Sequence, residues 1–508
     1  MKFFLIIISM FSLNLTFSQN TIGDFKNTMN IGDSPNKNSI LYNKELQFYT
    51  FKNTHITKTD GKNNSTYLYN KMDNNFILTA NFKFIGNYDT SNAKVGWMIR
   101  KSSEEKNIYA SAFISENKST SFQWKKSKEE LIESSNRKQS KNLQDNFEIL
   151  QLERIDNTLI FRAARFGEPL QEISSQTFKD LPDSILTGLF FSCSNSDTIT
   201  KAKVWNVRID HPVADNYKSN KEGYLGCRLE ILDPFNGNRK VIYEKPDRFE
   251  APNWMPDGNK LLFNMKGLLY KIPIKGGDLE ILNTGFANQN NNDHGISFNG
   301  KLLAISHHRN GLPAGGSTVY TLPIEGGEPK LVTADTPSYW HGWAPNNKEV
   351  VYVAQRNKGD IYNIYRASIK DGKETQLTHF TSGHVDGPEY SPDGKFIYYN
   401  GTESGTMQLW RMNPDGSNRE QITFDKWNNW FPHISPDGKW ILFLSFPSDI
   451  PVKSHPSYKR VMLRIMSTKK GSKSKVVAYL YGGQGTINVP SWSPDSKYVA
   501  FISNSGKK

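Results

Sequence analysis

Eight of the ten histidines in this 508-residue chain lie beyond residue 290, and His294, His341, His384 and His433 each fall within a few residues of one recurring landmark. Imidazole changes charge near neutral pH, which suits it to proton transfer in either direction and to metal ligation. The same landmark carries the carboxylates Asp386 and Glu389 and the indoles Trp340 and Trp430. A carboxylate takes a proton or accepts the hydrogen bond of a sugar hydroxyl, and an indole offers a flat apolar face with one polar handle. Acid–base chemistry and carbohydrate recognition are the two kinds of work these residue types suit.

The landmark is a turn written six times: Asn253-Trp-Met-Pro-Asp-Gly258, Gly295-Ile-Ser-Phe-Asn-Gly300, Gly342-Trp-Ala-Pro-Asn-Asn347, Glu389-Tyr-Ser-Pro-Asp-Gly394, His433-Ile-Ser-Pro-Asp-Gly438 and Ser491-Trp-Ser-Pro-Asp-Ser496. A β-rich run follows each copy. A repeat of about 40 to 50 residues holding four short strands predicts a β-propeller. Aligned on the turn, Pro252, Pro388, Pro432 and Pro490 share a column in which His294 and His341 replace the proline. The next column reads Asn253, Gly295, Gly342, Glu389, His433 and Ser491. Two residues before the proline stand Glu250, Asn292, Tyr339, Asp386, Trp430 and Asn488, with His384 just upstream.

Inner strands line a propeller's channel, so polar groups entering them converge on one mouth. Alternation sends adjacent columns to opposite faces, so His294 and His433 are not expected to share the channel. His341, His384, Asp386, Glu389 and Trp430 are the expected mouth residues. Each histidine alone also fits a plainer role, bonded to backbone at a strand entry; the coincidence of the set points to a site. The insertion from Phe446 to Arg460 adds Lys453, His455, Lys459 and Arg460, with Arg464 beyond, a group suited to a carboxylate or sulfate.

The elements that must position these groups follow from patterning. The hairpin from Arg228 to Tyr243 matches the outer half of a blade, and residues 491–503 match an inner half. Joined, they predict a sixth blade built from both ends, which removes the ring's free edges. Upstream, period-two runs such as Phe76–Ile85, Ile108–Ile114, Phe147–Arg154 and Lys203–Arg208 argue an antiparallel sandwich. The expected fold is all-β: a jelly-roll sandwich over 19–210, a linker over 211–225 and a six-bladed propeller over 226–508.

Residues 1–18 place one lysine ahead of an apolar run and small residues before Gln19, the pattern of a cleaved secretory signal. The run is short for a bilayer span, and no nearby cysteine supports a lipid anchor. A periplasmic or secreted protein without a transmembrane anchor is expected. Cys193 and Cys227 are the sole cysteines, so large cores rather than disulfides must supply stability. The net charge of +13, from 63 basic and 50 acidic residues, favours acidic polymers or membrane surfaces. Lysines 469, 470, 473 and 475, however, crowd one hairpin as solvated charge. No aromatic platform interleaved with basic residues is present, so nucleic acid is not an expected partner. A monomer is expected.

The repeated Pro-Asp-Gly turn followed by a Gly-Gly or Asp-Gly hairpin, as in Lys275-Gly-Gly277 and Lys370-Asp-Gly372, resembles the six-bladed propellers of the TolB-like family over residues 226–508. Gly96-Trp-Met-Ile-Arg100 and the strands after it resemble concanavalin or laminin-G-like jelly rolls attached to secreted carbohydrate-active proteins. Propellers of this class act as scaffolds, lyases and peptidase accessory domains, so the resemblance implies fold more than activity. A weaker similarity to oligogalacturonate lyases rests on the mouth imidazoles. It implies β-elimination on acidic oligosaccharides, with His-based acid–base catalysis or a divalent metal drawn from His294, His341, His384 and His433. That family's close His-x-His pair is missing, and the neighbours His307 and His308 diverge on a strand.

Two functional readings result. In the first, an exported propeller binds a carbohydrate or an envelope protein at its mouth, through Trp340, Trp430, His433, His294, Asn488, Arg460 and Lys459. In the second, a lyase uses His341, His384, Asp386 and Glu389 as its catalytic groups. Serine-peptidase chemistry is excluded because no Gly-x-Ser-x-Gly elbow is present.

Overall fold

The repeated turn is a self-contained hydrogen-bond unit. In Ser435-Pro-Asp-Gly438 the serine Oγ donates to Asp437 Oδ1 at 2.6 Å and accepts from the Trp440 amide at 3.0 Å, while the Gly438 amide closes on the Ser435 carbonyl at 2.8 Å. Proline presets the second position, aspartate accepts the Lys439 amide at 3.1 Å, and Gly438 adopts φ +71°. Ser391 and Ser493 repeat the arrangement with Asp393 and Asp495, each at 2.7 Å. Each turn reverses the chain between the innermost and second strand of a blade.

The computed structural model describes residues 21–31, 38–53, 64–86, 93–102, 104, 107–136, 146–193, 200–356 and 361–504. The expected signal segment, residues 1–18, lies outside them. The chain forms two compact units: residues 1–73, 84–136 and 180–203, and residues 74–83, 137–179 and 204–508. The first holds an antiparallel sheet in the order Asn27–Ile31, Asn64–Asp73, Ser184–Cys193, Lys94–Arg100, Tyr109–Ser115, Thr120–Lys125, Glu133–Asn136. In the second, Gln171–Thr177, Thr158–Ala164, Ile149–Ile155 and Phe76–Ile85 pair antiparallel in that order. One helical turn, Ser219–Glu222, precedes the propeller.

Five blades each contain four consecutive antiparallel strands, and their innermost strands are Glu250–Trp254, Asn290–Ile296, Ser338–Trp343, Val385–Tyr390 and Asn428–Ile434. The sixth is assembled from both sides of the ring, with Arg239–Lys245, Cys227–Leu232 and Val499–Asn504 side by side. Its innermost strand is reduced to one bridge, Trp492 to Val499. The fold is thus all-β with a six-bladed propeller, as the repeats predict. Glu230, fully buried in the closing blade, accepts Arg208 at 2.5 Å on one oxygen and Ser503 at 2.6 Å on the other. Both cysteines are free; Cys227 is buried and Cys193 half-buried.

Candidate functional site

Simple alternation fails on every complete innermost strand. The register slips between Glu250 and Asn253, Asn290 and His294, Trp340 and Gly342, Asp386 and Glu389, and Trp430 and His433. Such a bulge leaves two residues opposite one and re-aims the side chains that follow. Ala251, Gly387 and Phe431 mark it with φ of +57°, +59° and +54°.

Three imidazoles surround the carboxylate of Asp386. His341 Nε2 lies 2.9 Å from Oδ1, while His455 Nε2 and His384 Nε2 lie 3.7 and 3.9 Å from Oδ2. The two longer distances are electrostatic contacts, beyond hydrogen-bond length. His341 comes from the third blade, His384 and Asp386 from the fourth, and His455 from the insertion in the fifth. Aromatic rings floor the cluster: His455 meets Trp430 at 4.4 Å and Phe431 at 5.3 Å between centroids, and His384 meets Trp430 at 5.7 Å. Tyr362 stands 5.9 Å from His384 and 6.1 Å from Tyr339. Nδ1 of His341, Nε2 of His384 and Nδ1 of His455 are buried and make no hydrogen bond of good geometry among the described residues, although the Asn488 backbone and the Gln484 side chain stand near enough to His341 and His455 to favour their protonation.

Burial alone would raise the Asp386 carboxyl, but the charge and hydrogen bond of His341, with His384, hold it well below the usual carboxylate range. Burial works against protonation of His341; Asp386 and then Asp293 outweigh it and raise that imidazole. His455 is lowered, chiefly by burial, with Asp386 opposing. Asp293 behaves oppositely to Asp386. Burial, resisted by His341 and reinforced by Asp386 and Glu250, pushes its carboxyl up to about 7. The site therefore pairs a firmly ionised carboxylate with one that exchanges its proton near neutrality. Among the described residues, no group of three or more His, Cys, Asp or Glu is arranged to hold a metal ion.

The TolB beta-propeller domain model, PD40, matches residues 343–450. Uncharacterized protein Atu1656 of Agrobacterium fabrum is 43% identical over 281 residues, covering 55% of this chain and 93% of that protein. The solved structure of "putative TolB" from Agrobacterium tumefaciens is likewise 43% identical, over 55% of this chain and 98% of that one, with a TM-score of 0.51. The chain belongs to the TolB-like β-propeller family. TolB from Acinetobacter baumannii is a more remote likeness, 18% identical with a TM-score of 0.39 over 51% of this chain and 64% of that one.

Within this TolB-like propeller the remaining expected site residues go elsewhere. Glu389 and His433 bind each other, Oε2 to Nδ1 at 2.6 Å; Glu389 also accepts the Ile434 amide, and His433 Nε2 meets the Ile487 carbonyl. Trp340 is wholly buried in a core with Ala251, Ala304 and Tyr352, so its ring presents no face to a sugar. Trp430 is also wholly buried and serves as floor beneath the histidines. His294 is sealed in the interior, where burial pushes it down to about 4. Asn488 accepts the Gly485 amide at 2.8 Å and donates to Gln484 at 3.1 Å. Lys459 donates to the Asp215 carbonyl at 3.2 Å, and Arg460 pairs with the buried Glu153.

Asp293, Tyr339 and His455 join the cluster without having been singled out as its members. Asp293 shares a column with Ala251, Trp340, Gly387, Phe431 and Val489, which are packing residues, so nothing in that column signals function. His455 lies on an inserted loop, whose path no repeat dictates. Among the described residues no helix is long and apolar enough to cross a membrane.

Proposed function

We propose that this TolB-like propeller is an exported protein that binds a hydroxyl-rich ligand, a carbohydrate of the cell envelope, at the mouth formed by His341, His384, Asp386 and His455. The observation that carries this reading is the set of ring nitrogens left without partners around Asp386. Buried polar atoms are otherwise satisfied almost everywhere in folded proteins, so the open valences fit groups supplied by a ligand. Asp386 accepts hydroxyl protons, the imidazole nitrogens donate or accept, and the buried rings of Trp430 and Phe431 back the histidines. The leader-like segment of residues 1–18 supports export. Calorimetric titration of envelope oligosaccharides into the wild type, His384→Ala and His455→Ala tests it. Saturable binding lost in both variants is expected; binding indifferent to both would remove the mouth from consideration.

One observation favours the second reading, a lyase acting on acidic oligosaccharides. Asp293, pushed up to about 7, stands in the electrostatic neighbourhood of His341, an arrangement fit for proton exchange at neutral pH. In β-elimination one group removes the proton α to the uronate carboxylate and another protonates the departing glycosidic oxygen. A growing ultraviolet absorbance from unsaturated uronate, abolished in His341→Ala, would establish that reading over simple binding.

A further inference from the structure

Away from the mouth, a cleft of about 220 Å³ opens in the second unit, between the strands Phe76–Ile85, Ile149–Ile155 and Thr158–Ala164 and the outer strands of the fifth blade. Leu170, Trp427, Val461 and Leu480 give it apolar walls. Two guanidiniums, Arg162 and Arg460, line it. Both engage one wholly buried carboxylate, Glu153: Arg162 Nη1 lies 2.5 Å from Oε2, and Arg460 donates Nε to Oε1 at 2.8 Å and Nη2 to the same oxygen. Arg162 Nη1 also reaches Gln151 Oε1 at 3.2 Å.

Two cations on one anion leave a surplus positive charge. Asp210, the acid in the lining, does not cancel it, because Arg228 Nη1 holds that carboxylate at 2.6 Å. Among the described residues no hydrogen bond engages Nε or Nη2 of Arg162 or Nη1 of Arg460. Their side chains retain 22% and 43% of their exposure, so these N–H groups are open to a solute. Glu153 fixes both guanidiniums in place, a preorganised fork of the kind that recognises planar carboxylates. The half-buried indole of Trp427 lies along one wall. Pockets for drug-sized molecules run to about 300–1,000 Å³, so this smaller space suits a single ring.

We propose that this cleft is a second ligand site, taking a small monoanionic carboxylate carried on one ring, with Arg162 and Arg460 holding the carboxylate and Trp427 packing against the ring. The site is independent of the reading given to the channel mouth.

The experiment is calorimetric titration of the full chain with glucuronate, benzoate, glucose and inorganic phosphate. The variants are Leu170→Trp, which fills the cleft and leaves the Glu153 cluster untouched, Trp427→Ala, and His384→Ala as the control at the mouth. Saturable binding of glucuronate or benzoate is expected, with glucose and phosphate inert. Affinity should fall at least about tenfold in Leu170→Trp and about fivefold in Trp427→Ala, and stay unchanged in His384→Ala. Preference for glucuronate assigns a hydroxylated ring, and preference for benzoate a flat apolar one. Absence of carboxylate binding at ~10 mM, or binding that survives Leu170→Trp and disappears in His384→Ala, overturns the proposal. Unchanged circular dichroism and melting temperature of Leu170→Trp keep a folding defect from imitating the expected result.

Discussion

Glu389 and His433 are locked to each other, Oε2 to Nδ1 at 2.6 Å, and this contact ties the innermost strand of the fourth blade to that of the fifth. The other carboxylate oxygen accepts the Ile434 amide at 3.1 Å, and Trp492 Nε1 donates to the His433 carbonyl at 3.0 Å. Both residues are thereby committed to holding the ring together. Removing the imidazole strands a buried carboxylate, so His433→Ala should cost about 3 kcal/mol of folding stability. Glu389→Gln, which keeps a hydrogen-bonding group in place, should cost about 1 kcal/mol. Urea unfolding reads both: the midpoint falls, the slope holds, and mouth ligands bind the folded fraction as before.

Asp293 and Asp386 should give opposite pH signatures. Asp293, raised to about 7 mainly by burial, binds its proton more tightly folded than unfolded. Its contribution is therefore complete below the ordinary carboxylate range and is lost as pH rises through 7, by on the order of 4 kcal/mol. Asp293→Asn removes that loss and should raise the melting temperature more at pH 8 than at pH 5. Asp386, held low by His341 after burial is outweighed, contributes stability above the ordinary carboxylate range that is lost as pH falls below it. Asp386→Asn should thus cost about the same at pH 5 as at pH 8 and less as pH falls below the ordinary carboxylate range. A stability difference for Asp293→Asn that is flat from pH 4 to pH 8, or one for Asp386→Asn that does not shrink as pH falls below 4, would contradict these assignments.

Gly295 lies under the indole of Trp340. A Cβ there would come within 2.0 Å of the ring, and Trp343 Nε1 already bonds the Gly295 carbonyl at 2.9 Å, which fixes the backbone. Gly295→Ala should therefore destabilise the propeller by about 1–3 kcal/mol through overpacking. Thermal melts distinguish this from a conformational effect of glycine, since Gly438→Ala places its Cβ in open space and is limited by its φ of +71° alone.

Glu230 anchors the closing blade through Arg208 and Ser503, and its carboxyl, though burial opposes it, is held down to about 2 by Arg208 and Arg239. Glu230→Ala leaves two buried guanidiniums without their carboxylate and should cost about 3–5 kcal/mol. Ser503→Ala removes one hydrogen bond and should cost about 1 kcal/mol. If the pair of variants melt alike, Ser503 and Arg208 are not acting through the same carboxylate.

The blades were legible because each turn encodes its own hydrogen bonds: serine, proline, aspartate and glycine at fixed offsets need no tertiary help. His341 was legible because it replaces the proline of its column, and His384 and Asp386 because they crowd the same landmark one blade later. The remainder depended on bulges and burial. Asp386 enters the cluster while Glu389, past the register slip that follows Asp386, is taken up by His433, and the repeat pattern does not reveal that partner. Trp340 shares its residue type with sugar-stacking indoles, and only its complete enclosure by Ala304, Tyr352 and their neighbours reveals a core role. Arg460 resembled a free anion hook until the fold supplied Glu153, distant in sequence, as its partner.

Val499–Asn504 lies against Cys227–Leu232, so the ring is fastened by contacts spanning as many as 277 positions of chain, as between Asn504 and Cys227. From the moment residue 232 leaves the ribosome until residue 499 follows, that early strand has an unclaimed edge of backbone donors and acceptors. Long-range pairing of this sort is slow, and an open edge recruits neighbours of the same kind. The molecule is consequently most exposed to intermolecular association while it is still being made, and a chaperone that shields the strand beginning at Cys227 would raise its yield more than one acting on any other blade.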